Sequence, residues 1–339
     1  MTKYSIILPV KNGGAYIKEC VNSILEQTYA NFTLHVLDNC STDDTGEWIR
    51  SLTDERIIYL PSATPLSIEE SWGRIKDIPK NEFITLIGHD DVLLPYYLET
   101  MDKLITANPG ASLYQTHFKY IDSTGSVIKP CKPMQEEQDG PGFLKNFLTN
   151  NVDIMGTGFM MRSKDYDSLG GIPVQYPNLL FADMELWLRL TAINYLCISP
   201  LSCFQYRIHM STTKTTSDLK LINALEQMIL FLAVLKNEND RYKVIVEENC
   251  IAFIQHHCVS FSHRVLRTPY EKREGINVKQ IVQKCRHFAK LLKPGDNYNP
   301  GNSFQIRIAK CIDSNIILLK SFLFLKKIKR GAFRNEGVS

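Results

Sequence analysis

Three features of residues 4–87 predict an α/β fold built on a parallel sheet. Strand-like and helix-like patterns alternate, the strand-like runs are apolar and β-rich, and turn-forming residues follow the carboxyl ends of those runs. Ser5-Ile6-Ile7-Leu8-Pro9-Val10 reads as the first strand, and Lys11-Asn12-Gly13-Gly14 as the turn after it. A helix follows, with Ile17, Val21, Ile24 and Leu25 on one face. Phe32 to Leu37 is the second strand, ending at Asp38-Asn39. Ser41-Thr42-Asp43-Asp44-Thr45 then offers several caps to a helix through Trp48 and Ile49. Arg56 to Leu60 reads as a third strand, Ile68 to Ile78 as a helix, and Glu82 to Ile87 as a fourth strand.

Composition sets the outer limits. The 339 residues suffice for a sizeable core and are expected to form one large domain with an appendage. Hydrophobic residues make up 44% and charged residues 22%, too polar a balance for a multispan membrane protein. A net charge of +3, with no arginine-rich or RNP-like stretch, gives no argument for nucleic-acid binding. Nine cysteines without CxxC spacing read as thiols in a reducing compartment. No zinc motif is present, and Met1-Thr2-Lys3-Tyr4 enters a strand without signal-peptide architecture, so a cytosolic chain is expected.

The strand ends must decide the chemistry. A G-x-G-x-x-G turn after the first strand would indicate a dehydrogenase, and a Walker loop a kinase or ATPase; neither is present. Lys11 with Gly13-Gly14 is a poor imitation of a nucleotidyltransferase's triphosphate loop. The informative pair is Asp90-Asp91, placed where Phe83-Ile84-Thr85-Leu86-Ile87 runs out through Gly88 and His89. Carboxylates at the carboxyl end of a buried strand stand where open α/β sheets bind ligands, which points to a metal-diphosphate site. The alternative is that Asp91 caps a helix starting near Pro95.

A second carboxylate stands out in Phe181-Ala182-Asp183-Met184-Glu185-Leu186-Trp187-Leu188-Arg189-Leu190. In a helix from Ala182, Asp183 shares its face with Leu186, Trp187 and Leu190, so it is expected to point inward. The helix dipole would favour its ionised form, as suits a general base. Glu185 lies four residues before Arg189, the spacing of an exposed ion pair.

These segments resemble the family 2 glycosyltransferases, inverting enzymes with the GT-A fold. Ser5 to Asn12 resembles their first strand and turn, and Val36-Leu37-Asp38-Asn39-Cys40-Ser41-Thr42-Asp43-Asp44-Thr45 their nucleotide loop. Ile87-Gly88-His89-Asp90-Asp91-Val92-Leu93 resembles their Asp-x-Asp segment, and Phe181 to Leu190 their catalytic-base segment. Four motifs in the correct order span about residues 4–212. The implied fold is a mixed GT-A sheet flanked by helices, with a donor half over about 1–110 and an acceptor half over about 111–215.

The resemblance implies a role for each residue. Pro9, Val10, Asn12, Asp38 and Ser41 would bind the nucleotide, Asp38 accepting from a uracil or thymine imide. Asp90, Asp91 and Arg207 would serve the donor diphosphate, and Asp183 would be the base. Asp90 and His209, the latter in Tyr206-Arg207-Ile208-His209, would hold Mn2+ or Mg2+. Two departures stand out: Gly88 replaces the family's first Asp, leaving His89 or Asp91 to take over part of its role, and Ala182 replaces the Glu before the base. Met155 to Arg162 would line the acceptor side, and Ser71-Trp72-Gly73-Arg74 would adjoin the donor pocket.

Residues 216–339 are expected to form a helical region, with helices over Leu219–Leu235, Tyr242–Val265 and Val278–Leu292. Ile316 to Leu325 runs into Lys326-Lys327-Ile328-Lys329-Arg330, too short an apolar stretch to span a bilayer; it reads either as a basic helix lying on an anionic membrane or as a helix docked on the domain with a solvated basic tail. The expected function is transfer of one sugar, from a UDP-sugar, to a glycan or lipid-linked saccharide in surface polysaccharide or O-antigen synthesis. The setting would be the cytoplasm or the cytoplasmic face of the inner membrane. The Gln-x-x-Arg-Trp pattern of processive relatives is missing, which favours single addition. The rival readings are a catalytically degenerate nucleotide-sugar-binding module and a sugar nucleotidyltransferase.

Overall fold

The computed structural model describes residues 2–208 and 215–335. The chain divides into two compact units, residues 1–214 and 215–339.

In the first unit, Tyr4–Val10 forms β1, Phe32–Asp38 β2, Ile57–Tyr59 β3, Phe83–Leu86 β4 and Val92–Leu93 β5. Leu113–Ile121 is β6, Val127–Pro130 β7, Glu137–Gln138 β8, Phe159–Arg162 β9 and Leu196–Arg207 β10. They make one ten-stranded sheet in the order β3-β2-β1-β4-β9-β6-β10-β5, with β7 on β6 and β8 on β10. The first four strands are mutually parallel. Antiparallel β9 separates them from the parallel pair β6 and β10, so the sheet is mixed. Every residue of β1 is buried, as expected of a central parallel strand covered on both faces.

Helices α1 (Gly14–Leu25), α2 (Thr45–Ser51), α3 (Ile68–Gly73), α4 (Tyr97–Ala107), α5 (Gly140–Leu148), α6 (Ser163–Ser168) and α7 (Ala182–Ile193) flank the sheet. In α1 the buried residues are Ile17, Cys20, Val21 and Ile24, with Leu25 half-buried at the edge of the apolar face. The turn before it requires glycine: a Cβ on Gly13 would lie 2.6 Å from that of Ile17. The helix expected over Ile68–Ile78 changes to a 3-10 turn at Arg74.

The second unit is helical, with α8 (Asp218–Leu235), α9 (Asp240–Val265), α10 (Val278–Leu292), α11 (Phe304–Ser314) and α12 (Ile316–Asn335). Helix α10 has the bounds that its periodicity predicts, and α11 is an addition to the expected set. No helix among the described residues is long and apolar enough to cross a membrane.

Candidate active site

The loops after β1 and β2 are built as one piece. Asn12, at φ 52°, donates its N–H to Ser41 Oγ (2.8 Å), and its side-chain oxygen accepts from Thr42 N–H (2.8 Å). The orphan N–H groups opening α1 are met from the same loop, Gly13 donating to Thr45 Oγ1 (2.9 Å) and Gly14 to Asp43 Oδ2 (3.1 Å). Pro9 and Val10 lie buried in β1, in register with Leu37 and Asp38.

Asp38 is buried, and both its carboxylate oxygens hold protein donors. Oδ1 accepts from the Ser41 N–H (3.0 Å) and hydroxyl (2.5 Å), and Oδ2 from the Tyr59 hydroxyl (2.6 Å). Two oxygens offer about four lone-pair directions, so acceptor capacity remains at this strand end. Asn39 grips Leu66 by both its backbone groups (2.7 and 2.9 Å), and Arg74 donates to the carbonyls of Asp38 (3.2 Å) and Leu60 (2.7 Å). The sequence carries no mark of these two contacts, because the partners are main-chain atoms brought in by β3 and α3.

The acidic turn at the end of β4 is held from below. Asp91 N–H closes it onto the Gly88 carbonyl (3.1 Å). The Asp91 side chain is buried and accepts from Thr157 Oγ1 (2.9 Å) and the Arg207 N–H (3.0 Å). It therefore does not cap the following helix, whose N-cap residue is Tyr96. Burial, and then the adjacent Asp90 charge, push the Asp91 carboxyl well above the usual carboxylate range. Asp90 is half-buried at the turn's open side.

Gly88 has a steric reason here. A Cβ at this position would stand 2.8 Å from Asp90 Oδ1 and 3.1 Å from Asp91 Oδ2, so the Asp90 carboxylate occupies space that a side chain at 88 would need.

Arg207 has a different place from the diphosphate contact expected of it. Its buried guanidinium donates to the carbonyls of Asp90 (2.7 Å) and Asp122 (3.0 Å) and to Glu19 Oε2 (2.6 Å), and stacks 4.7 Å from the centre of the Tyr16 ring. It fixes the backbone of the acidic turn. His209 lies outside the described residues. Among the described residues no three His, Cys, Asp or Glu side chains converge as a metal cluster.

Asp183 opens α7 with Oδ1 accepting its neighbour Met184's N–H (2.9 Å). Its carboxylate faces Gly156 so closely that a Cβ there would lie 3.4 Å from Oδ2. Burial raises the Asp183 carboxyl to about 6, outweighing the helix N-terminus expected to hold it low. Gly156 and Thr157 are consecutive, so one short loop touches both the base candidate and the acidic turn. Tyr206 lies within electrostatic reach of all three carboxylates, Asp91, Asp90 and Asp183, and with burial they raise its phenol.

Glu185 corrects a sequence expectation. It does pair with Arg189 (2.6 Å), but it is 1% exposed and also accepts from the buried Tyr176 hydroxyl (2.5 Å). The loop at 175–176 covers the helix face that i, i+4 spacing alone reads as solvent.

A cleft of about 850 Å³ lies instead at the amino ends of β1 and β4, lined by residues including Lys3, Lys80 and Arg162. These three cations are all paired, Lys3 with Asp102 (2.8 Å), Lys80 with Asp167 (3.0 Å) and Arg162 with Asp165 (3.8 Å), and the cleft lies at the far end of the sheet from the acidic turn.

Residues 5–170 match the model of Glycosyl transferase family 2. The chain carries a family 2 glycosyltransferase domain. GlyG, a glycosyltransferase of Streptococcus pneumoniae, is 27% identical over 124 residues, covering 36% of this chain and 41% of its own. An uncharacterized glycosyltransferase of Methanocaldococcus jannaschii is 26% identical over 185 residues, 53% of this chain and 61% of its own. The chain thus spans between two fifths and two thirds of these relatives' length. Among solved structures, S. aureus TarS 1-349 in complex with UDP-GlcNAc superposes with a TM-score of 0.63 at 16% identity, over 86% of this chain and 81% of that one. The same protein in complex with UDP gives 0.64 over 94% and 91%. The mixed sheet is accordingly that of a GT-A glycosyltransferase, with a helical region after it.

Proposed function

We propose that the family 2 domain inverts configuration as it moves one sugar from a UDP-sugar to a glycan or lipid-linked saccharide acceptor. The observation that carries this reading is the Gly156-Thr157 bridge. Its first residue lies beside Asp183, where a Cβ would stand 3.4 Å from Oδ2, and its second donates to Asp91, so a base and a diphosphate-facing turn flank one short loop.

In this reading the uracil lies against Pro9 and Val10, with Asp38 accepting its imide N–H and Asn12 and Ser41 shaping the loop. Arg207 and Asp91 hold the turn that carries Asp90. Asp183 accepts the proton of the acceptor hydroxyl as that oxygen attacks the anomeric carbon from the face opposite the diphosphate. A carboxyl near 6 is mostly ionised at neutral pH yet basic enough to share that proton in the transition state.

The residues present fit a divalent cation of the Mg2+ or Mn2+ type. Such ions often take one or two protein carboxylates and complete their shell with phosphate oxygens and water, which suits half-exposed Asp90 beside a turn too tight for a side chain at 88. Asp90 would hold the ion, with His209 as the second candidate; when bound, it supplies positive charge to the departing diphosphate. The basic-apolar α12 is proposed to rest on the cytoplasmic face of the membrane, where a lipid-linked acceptor would be met. Surface polysaccharide or O-antigen assembly is the proposed setting.

The test is nucleoside diphosphate release across UDP-, GDP- and dTDP-sugars with manganese, beside Asp183→Asn, with donor binding read by calorimetry. Release from a UDP-sugar, lost in the variant, supports the proposal. Binding without turnover by any acceptor tried favours the degenerate binding module, and pyrophosphate release from a nucleoside triphosphate the nucleotidyltransferase. Failure to bind any nucleotide sugar overturns the donor site.

A further inference from the structure

The segment entering the base helix is held in a backbone conformation its residues disfavour. Asn178, Leu179 and Phe181 have φ of 54°, 55° and 72°. Asparagine tolerates this region, whereas leucine and phenylalanine seldom enter it, so the surrounding contacts must impose it. Phe181 is the residue from which α7 starts, two positions before Asp183.

Two contacts hold the start of this segment, at Tyr176 and at Asn178. On the inner side Tyr176, fully buried, donates to Glu185 Oε2 (2.5 Å), anchoring the segment to the first turns of α7. On the outer side the Asn178 N–H donates to Glu69 Oε1 at 2.6 Å. Glu69 belongs to α3, whose N-cap Ser67 follows Leu66, the residue Asn39 grips at the end of β2. A Cβ on Gly73 of the same helix would lie 3.3 Å from Val174, so α3 and this segment are in close apposition at a second point. A short series of bonded groups therefore runs from the loop beside Asp38, through α3, to the residues that aim Asp183. Nothing in the family motifs marks Glu69, because its partner is a main-chain N–H in a region 109 positions away.

We propose that Glu69 is a positioning residue for the base: by accepting the Asn178 N–H it straps residues 174–181 to α3 and sets where Asp183 stands relative to the donor half. This rests on the assignment of Asp183 as base. Glu69 touches neither substrate nor the reacting atoms; it acts through the left-handed segment. Removing the acceptor loosens the attachment of a segment whose preferred backbone lies elsewhere, and a base displaced by about 1 Å can lose on the order of 100-fold in rate.

Glu69→Ala removes the acceptor and Glu69→Gln keeps an amide oxygen in its place. The expected result for Glu69→Ala is a fall in kcat of roughly 10- to 100-fold, with the donor Kd by calorimetry within about 3-fold of the parent. The acid limb of the kcat/KM profile, expected near pH 6 in the parent, should move. Glu69→Gln should recover kcat to within about 3-fold. Hydrogen exchange across 174–182 reads the strap without any need for turnover: exchange should quicken in the alanine variant and return toward the parent in the glutamine variant. Unchanged kcat, acid limb and exchange in Glu69→Ala would overturn the proposal. So would a loss matched by the inactive fraction, with KM and pH limb as in the parent, or no recovery by glutamine. If the parent releases no nucleoside diphosphate from any donor, it is the functional reading that fails, and exchange still decides the strap.

Discussion

Arg207 holds the Asp90-Asp91 pair twice, once at each residue. The Arg207 N–H donates to Asp91 Oδ1 at 3.0 Å, and the Arg207 guanidinium returns to the carbonyl of Asp90 at 2.7 Å. Because the same guanidinium ends on Glu19 and the Asp122 carbonyl, one buried side chain ties α1, the acidic turn and the end of β6 together. Arg207→Ala would leave three acceptors in need of partners. It is expected to destabilise the domain by about 2–4 kcal/mol and to weaken donor binding. Arg207→Lys keeps the charge but cannot serve three diverging acceptors, so it should recover less than half of the stability loss. Denaturant unfolding and donor calorimetry on both variants check this.

Asp183 should cost the fold stability at the pH where it serves the reaction. Its carboxyl titrates near 6 when folded, against a usual 3.8. Between those values the folded chain binds more protons than the unfolded one, so stability falls as pH rises through the window and stays low above it. Asp183→Asn removes the ionisation. The variant should be indistinguishable in stability from the parent near pH 4 and more stable at pH 8, by at most about 3 kcal/mol. The same variant should lose turnover by roughly 100-fold or more. Parent activity should rise through pH 6 as the base ionises, and a profile flat across that range would remove Asp183 from the role.

At position 88 the missing side chain is expected to matter more than the missing charge. A Cβ there meets Asp90 Oδ1 at 2.8 Å, and the carboxylate must swing aside to admit it. Gly88→Ala should therefore reduce donor affinity and turnover roughly 10-fold in the presence of manganese, while thermal stability changes little, because the atom met most closely belongs to half-exposed Asp90. Gly88→Asp should not exceed the parent. Activity in Gly88→Asp above the parent's would mean that the turn relaxes to accept a second carboxylate.

Much of this was legible in the residues, and what was not has identifiable causes. Buried strands β1, β2 and β4 announce themselves by apolar runs, and α10 by an amphipathic pattern with capping asparagine Asn277. Helix α11 escapes because only Ile306 and Ala309 are buried while Phe304 and Ile308 are exposed, so its pattern lacks a clean face. The burial of Glu185 comes from Tyr176 across a loop, outside the reach of i, i+4 reasoning. Left-handed backbone at Leu179 and Phe181 has no sequence signal, since those residue types argue against it. The crowding at Gly88 likewise depends on where Asp90 turns its carboxylate, which spacing does not encode.

The last two helices are strongly basic in sequence. Residues 304–335 contain eight Lys and Arg and one acid, Asp313, and that acid is already taken up by Arg273 (2.6 Å) and the Val278 N–H (2.7 Å). Ile316, Ile317, Phe324 and Leu325 are all more than 60% exposed. A sequence that mixes apolar residues with this many Lys and Arg suits an anionic lipid surface, where each basic residue near the headgroups contributes roughly 1 kcal/mol. The full chain should co-sediment with vesicles containing phosphatidylglycerol and not with phosphatidylcholine alone. Binding should fall steeply as salt rises from 0.1 to 1 M, over which the screening length shrinks from about 10 to about 3 Å. Replacing Lys326, Lys327, Lys329 and Arg330 with glutamate should abolish it without altering donor binding, which separates membrane attachment from the site in the first unit. Equal binding to neutral and anionic vesicles would instead assign the contact to the apolar residues alone, and no binding to either would remove the membrane from the proposal.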